Sequence, residues 1–146
     1  MARDQLQVVL TVESEKEQQL AEQFYHAQQS VTAQQKKLAQ LQQYRVDYIE
    51  QIKRSGSSCV DASKYQQHLS FVGKLDLACE QQTQQLSRAT LVADQRRVNW
   101  LQQQQRKKAI EKLIDKKAVH AALRQNRLEQ ADMDEFANQQ FLRRRN

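Results

Sequence analysis

The feature that most constrains this chain is missing punctuation: its 146 residues include no proline and only two glycines, Gly56 and Gly73. Those two residue types mark most turns. Sandwiches, barrels and alternating α/β folds turn at short intervals and draw heavily on such breakers, so they are improbable here. What remains is long helix. The chain is polar and rich in glutamine, with 28 Gln and a mean hydropathy of -0.89. Its length falls within the roughly 100–200 residues usual for one domain, so a single unit is expected. The longest apolar run is short, as at Val8-Val9-Leu10, against the roughly 18 residues a membrane span requires. No apolar segment follows Arg3 to make a secretory signal, so the expected location is the cytoplasm. Cys59 and Cys79 match no short metal or redox spacing and are expected to be reduced thiols.

Breakers cluster once, at Arg54-Ser55-Gly56-Ser57-Ser58, and there the chain is expected to turn. Ser58 to Asp61 and Ser63 to Gln66 both resemble capping boxes at the start of a following helix. Upstream, heptad spacing aligns Leu10, Glu17, Phe24, Val31, Leu38, Arg45 and Ile52, beside a column of Leu6, Glu13, Leu20, Ala27, Gln34, Leu41 and Tyr48. Apolar residues fill most of these places, which marks a coiled-coil seam. Downstream, one column runs through Tyr65, Val72, Cys79, Leu86, Ala93, Trp100, Lys107, Ile114, Ala121 and Leu128. Its partner column is softer, with Leu75, Ala89 and Ile110 among His68, Gln82, Arg96, Gln103 and Lys117.

Two amphipathic helices joined by a short turn bury their stripes most simply against each other. The sequence therefore predicts an all-α fold: an antiparallel two-helix coiled-coil hairpin, one domain over 1–146. Helix 1 covers about 3–53, the turn about 54–60 and helix 2 about 61–142, with ends good to about ±2–4 residues. With Ile52 facing Tyr65, Leu10 faces Lys107, and helix 2 overhangs helix 1 beyond about 110. The last stripe, Met133, Phe136, Ala137 and Phe141, lies in that overhang. It reads either as a frayed or self-associating end or as an amphipathic helix that docks in a partner's groove.

Charge is uneven along the chain. Residues 1–60 hold seven basic and seven acidic residues, whereas residues 88–127 hold eleven basic against three acidic, a net +8. An acidic patch follows at Glu129, Asp132, Asp134 and Glu135, then Arg143-Arg144-Arg145. Such a band is a solvated helix face, a phosphate-binding surface or a contact for an acidic protein. Catalytic chemistry is not indicated. His26, His68 and His120 are far apart with no metal-ligand spacing, no glycine loop cradles a phosphate, and two helices offer no dehydrated pocket for shifted pKa values. No catalytic residue, cofactor, metal or small-molecule substrate is expected. Tyr44, Tyr48 and Tyr65 gather near the turn, and Tyr44 lies outside both seam columns.

The segment Asn126-Arg127-Leu128-Glu129-Gln130-Ala131-Asp132-Met133-Asp134-Glu135-Phe136-Ala137 resembles the end motif of the flagellar type III export protein FliJ family. Leu41, Tyr44, Asp47 and Tyr48, then Tyr65-Gln66-Gln67 and Trp100, extend the similarity over essentially the whole chain. The resemblance implies a non-enzymatic cytoplasmic component, peripherally associated with the inner-membrane export apparatus. It would be a stalk that binds the hexameric ring of the export ATPase and the cytoplasmic domain of the export-gate membrane protein, and it would interact with export chaperones. By matching position, Leu41, Tyr44 and Tyr48 would belong to the gate-binding face. Asn126, Arg127, Leu128, Met133, Asp134, Glu135, Phe136 and Ala137 would belong to the ATPase-binding end. Lys37 departs from the family, whose members can carry Gln on that face. The alternatives are the equivalent stalk of an injectisome, or a basic coiled coil that scaffolds proteins or binds nucleic acid, the last an unlikely partner.

Overall fold

The computed structural model describes residues 2–55 and 62–145, with side chains described from residue 5. Two helices account for all of them: α1, Ala2–Ser55, and α2, Ala62–Arg145. Of the expected turn, Arg54 and Ser55 belong to α1, while Gly56, Cys59 and the Ser58–Asp61 box lie outside the described residues. Because α2 already includes Ala62, Ser63 sits inside its first turn and not at a cap. Lys53 and Arg54 close α1, and Arg143, Arg144 and Arg145 close α2, where a cation meets the negative end of the helix dipole.

Local sequence explains why such long helices hold. Gln is a good helix former, and its amide reaches an acceptor four residues away, as from Gln43 to Asp47 (2.9 Å) and Gln95 to Asn99 (3.2 Å). Threonines, poorer helix formers, return their hydroxyls to the preceding turn: Thr11 to the Gln7 carbonyl, Thr32 to Gln28, Thr83 to Cys79 and Thr90 to Leu86. Gly73 lies within α2, and its missing side chain is not forced by crowding, since a Cβ there would meet nothing within 4 Å.

The helices pack antiparallel as a two-helix hairpin in which α2, at 84 residues, outruns α1, at 54. Contacts divide the chain into two compact units, one of residues 18–101 and one of residues 1–17 with 102–146. In the 18–101 unit the core is Val31, Leu75 and Ala93, the only buried apolar residues among those described. Leu20, Phe24, Leu38, Leu41 and Ile52 of α1, and Val72, Leu86 and Trp100 of α2, are half-buried around them. The Phe24 and Trp100 rings stack at 5.7 Å with their planes 10° apart. No large side chain is wholly enclosed among the described residues, as expected when one helix covers only one side of another. Tyr65, expected in the seam, is 56% exposed; it stands in the first turn of α2.

In the unit of 1–17 and 102–146 the paired stretch is polar. Leu6, Leu10, Ile110, Ile114 and Ala118 are half-buried, but the buried side chain is Gln103, 5% exposed. From residue 119 to 145 every described side chain of α2 is exposed. The overhang therefore starts at 119 and not near 110. The cause is the N-terminal reach of α1, which begins at Ala2 and supplies two further turns beyond Leu10. Ala121 and Leu128 keep the spacing of the downstream column yet are exposed, because no α1 residue remains to cover them.

Candidate partner-binding surfaces

Near the N-terminal end of α2, within the 18–101 unit, aromatic residues from both helices meet. The Tyr48 hydroxyl and His68 Nδ1 share a hydrogen bond of 2.7 Å, and the Tyr48 ring lies 4.6 Å from that of Phe71. Tyr44 meets Phe71 edge-on at 6.2 Å but leaves 52% of itself exposed. Leu41 and Tyr48 are half-buried. Of the three residues assigned to the gate face, then, Tyr44 alone is open to contact, with Tyr48 held behind it as support. Arg45 and Asp76 form a solvent-exposed ion pair at 2.5 Å on the same side.

The seam's polar positions are satisfied across the helices. In the 18–101 unit, Gln82 Nε2 donates to the Gln34 carbonyl oxygen at 3.1 Å and to its side-chain oxygen at 2.5 Å, and Arg96 donates to Gln23 at 3.1 Å. In the other unit, Gln103 Nε2 donates to the Glu13 carbonyl oxygen at 3.1 Å and to the Glu13 carboxylate. Lys107 and Gln104 both donate to Glu17, at 3.2 Å and 3.3 Å. Gln34 with Gln82, Glu13 with Gln103 and Glu17 with Lys107 are non-apolar members of the heptad columns, matched to one another. Sequence reasoning counted them as weak points; laying one column against the other in antiparallel order would have revealed the pairs.

Of the basic band, Lys107 is engaged with Glu17 and Arg96 with Gln23, while Arg88, Arg97, Arg106, Lys108, Lys112, Lys116, Lys117, Arg124 and Arg127 are exposed. At the C-terminal end, Asn126, Arg127, Leu128, Asp134, Glu135 and Ala137 are exposed, with Met133 69% and Phe136 62% open to solvent. Among the described residues, no three His, Cys, Asp or Glu side chains gather as a metal site, and no helix is long and apolar enough to cross a membrane.

The family described as Flagellar FliJ protein matches residues 1–146. The chain belongs to the flagellar FliJ family. It is 29% identical to the Flagellar FliJ protein of Escherichia coli (strain K12) and 28% identical to that of Salmonella typhi, in each case over 107 residues that cover 73% of both chains. No solved structure gives a significant match. The family match supports a component of flagellar protein export, with the two curated relatives agreeing on the family.

Proposed function

We propose that this FliJ-family protein is a non-catalytic stalk of the flagellar export apparatus, working in the cytoplasm against the membrane-bound machinery. The C-terminal end of α2, Asn126 to Ala137, docks with the hexameric export ATPase. The Tyr44 face, backed by Leu41 and Tyr48, binds the cytoplasmic domain of the export gate, and the chain assists chaperones in delivering substrates. The observation that carries this reading is the uncovered end of α2, residues 119–145, in a chain of this family. Large apolar side chains such as Phe136 and Met133 left in water mark a surface that another protein covers. The flagellar match favours the flagellar apparatus over an injectisome.

The test is co-purification of the chain with the export ATPase and, separately, with the gate's cytoplasmic domain. Met133→Ala with Phe136→Ala is expected to weaken ATPase capture at least tenfold, because each removes a large apolar anchor. Tyr44→Ala is expected to weaken gate binding while helicity by circular dichroism is unchanged. Undiminished capture in either experiment removes the corresponding surface from the proposal.

A further inference from the structure

Between residues 102 and 127 of α2 the charges are sorted by side of the helix. At about 100° per residue, the covered positions Gln103, Lys107, Ile110, Ile114 and Ala118 mark the side that α1 occupies in this unit. Lys108, Lys112, Lys116, Val119, Leu123 and Arg127 all fall within about 60° of the line directly opposite. Arg106, Lys117 and Arg124 lie along one flank of that face, and the two carboxylates of the stretch, Glu111 and Asp115, lie along the other. Lys107, on the seam side, is held by Glu17. The other seven cations are exposed, and none of them forms an ion pair among the described residues.

Lys108, Lys112 and Lys116 follow one another at four-residue steps, where like charges on a helix repel, so the row is favourable only beside an external anion. The face is convex, one helix wide and about 30 Å long, which suits an extended anionic surface and encloses no small anion. A nucleic-acid strand is gripped through stacking on aromatic rings, and no Phe, Tyr or Trp lies between Trp100 and Phe136. Aliphatic side chains take that place: Val119 is 57% and Leu123 47% exposed in the middle of the face. Aliphatic groups among lysines suit the headgroup layer of a bilayer, where the first enter the acyl boundary and the second reach the phosphates. In this unit α1 lies on the far side, so the face can rest on a plane without displacing it.

We propose that this face of α2 adsorbs to an anionic bilayer surface, with Lys108, Lys112 and Lys116 on lipid phosphates and Val119 and Leu123 dipping between the headgroups. The contact is peripheral, since no described helix is long and apolar enough to cross a membrane. Its C-terminal limit is Asp134, the first carboxylate to return to the same side of the helix. With two aliphatic anchors against a row of cations, charge carries the adsorption, which therefore weakens as salt is added. The inference does not rest on ATPase or gate docking: Met133, Phe136 and Tyr44 take no part in it.

Co-sedimentation of the purified full chain with vesicles tests it, comparing phosphatidylcholine alone with phosphatidylcholine containing about 30% phosphatidylglycerol, in about 0.1 M salt. The chain is expected to pellet with the mixed vesicles and to stay in solution with phosphatidylcholine alone. Lys108→Gln with Lys112→Gln and Lys116→Gln weakens binding at least about tenfold, and the same three changed to Arg keep it, helicity being equal throughout. Lys36→Gln with Lys64→Gln and Lys74→Gln removes the same net charge from exposed positions elsewhere and leaves binding unchanged. A chain that ignores the anionic vesicles overturns the inference, even if it still captures the export ATPase. So does equal binding to phosphatidylcholine alone, or an equal loss in the two glutamine triples, which would trace binding to net charge and not to this face. Duplex DNA that strips the chain from the vesicles at a lower phosphate concentration than theirs gives the face to nucleic acid and also overturns it.

Discussion

Within residues 18–101 the helices meet through Val31, Leu75 and Ala93 and through the Phe24–Trp100 stack. Within 1–17 and 102–118 the side chain buried between them is Gln103, held by Glu13, with Lys107 and Gln104 on Glu17 beside it. Apolar burial is indifferent to small shifts along the helix, whereas an amide buried against a carboxylate is favourable only when the two are aligned. The first stretch therefore contributes most of the adhesion, and the second contributes register. The same contrast separates how each stretch should fail: the first through loss of contact area, the second through an unpaired polar group.

The contrast is open to attack, beginning with the largest effect. Leu75→Ala is expected to lower stability by about 2–3 kcal/mol, seen as a lower urea midpoint, because Leu75 is only 7% exposed and its loss leaves a gap. A cost nearer that of a surface change would mean that the apolar stretch does not supply the adhesion. Gln103→Ala is expected to cost about 1–2 kcal/mol, because it takes the buried amide away from the Glu13 carbonyl and carboxylate and leaves the carboxylate only Lys16, at 3.7 Å. Its signature is local: faster amide hydrogen exchange in residues 5–17, with protection around Val31 unchanged. Equal loss at both places would erase the distinction and make the two stretches one cooperative unit. Gly73→Ala works in the opposite direction, raising stability by roughly 0.5–1 kcal/mol in the same urea titration, since the space is empty and a helix interior favours alanine. Lys107→Ala has the smallest expected effect, under about 1 kcal/mol and shrinking as salt is added, because the pair with Glu17 is still partly wetted.

The helices, their direction and their unequal lengths were legible because a chain without proline can be punctuated in few places, and because Phe24, Val31 and Leu38 recur at seven-residue steps. With Ile52 set against Tyr65, antiparallel numbering brings Tyr48 close to His68, and the two share a hydrogen bond. Less legible was the point at which pairing stops. Ile114, Ala121 and Leu128 have the same spacing, yet only Ile114 is covered, and what separates them is how far α1 reaches. Burial of Gln103 was also hidden, since a glutamine among 28 carries no mark until its acceptor on the other helix is known. At the C-terminal end, exposure of Met133 and Phe136 follows from the overhang.

The chain holds one tryptophan, and it lies in the seam: Trp100 stacks on Phe24, and its indole Nε1 is buried without a hydrogen-bond partner. Indole emission depends on contact with water, so this residue is a natural optical gauge of helix separation that requires no dye. Closed helices would give blue-shifted emission, and parting them near Phe24 would move it toward the red. Binding at Tyr44 can thus be followed at Trp100 itself, as a test of whether that event loosens the seam of the 18–101 unit.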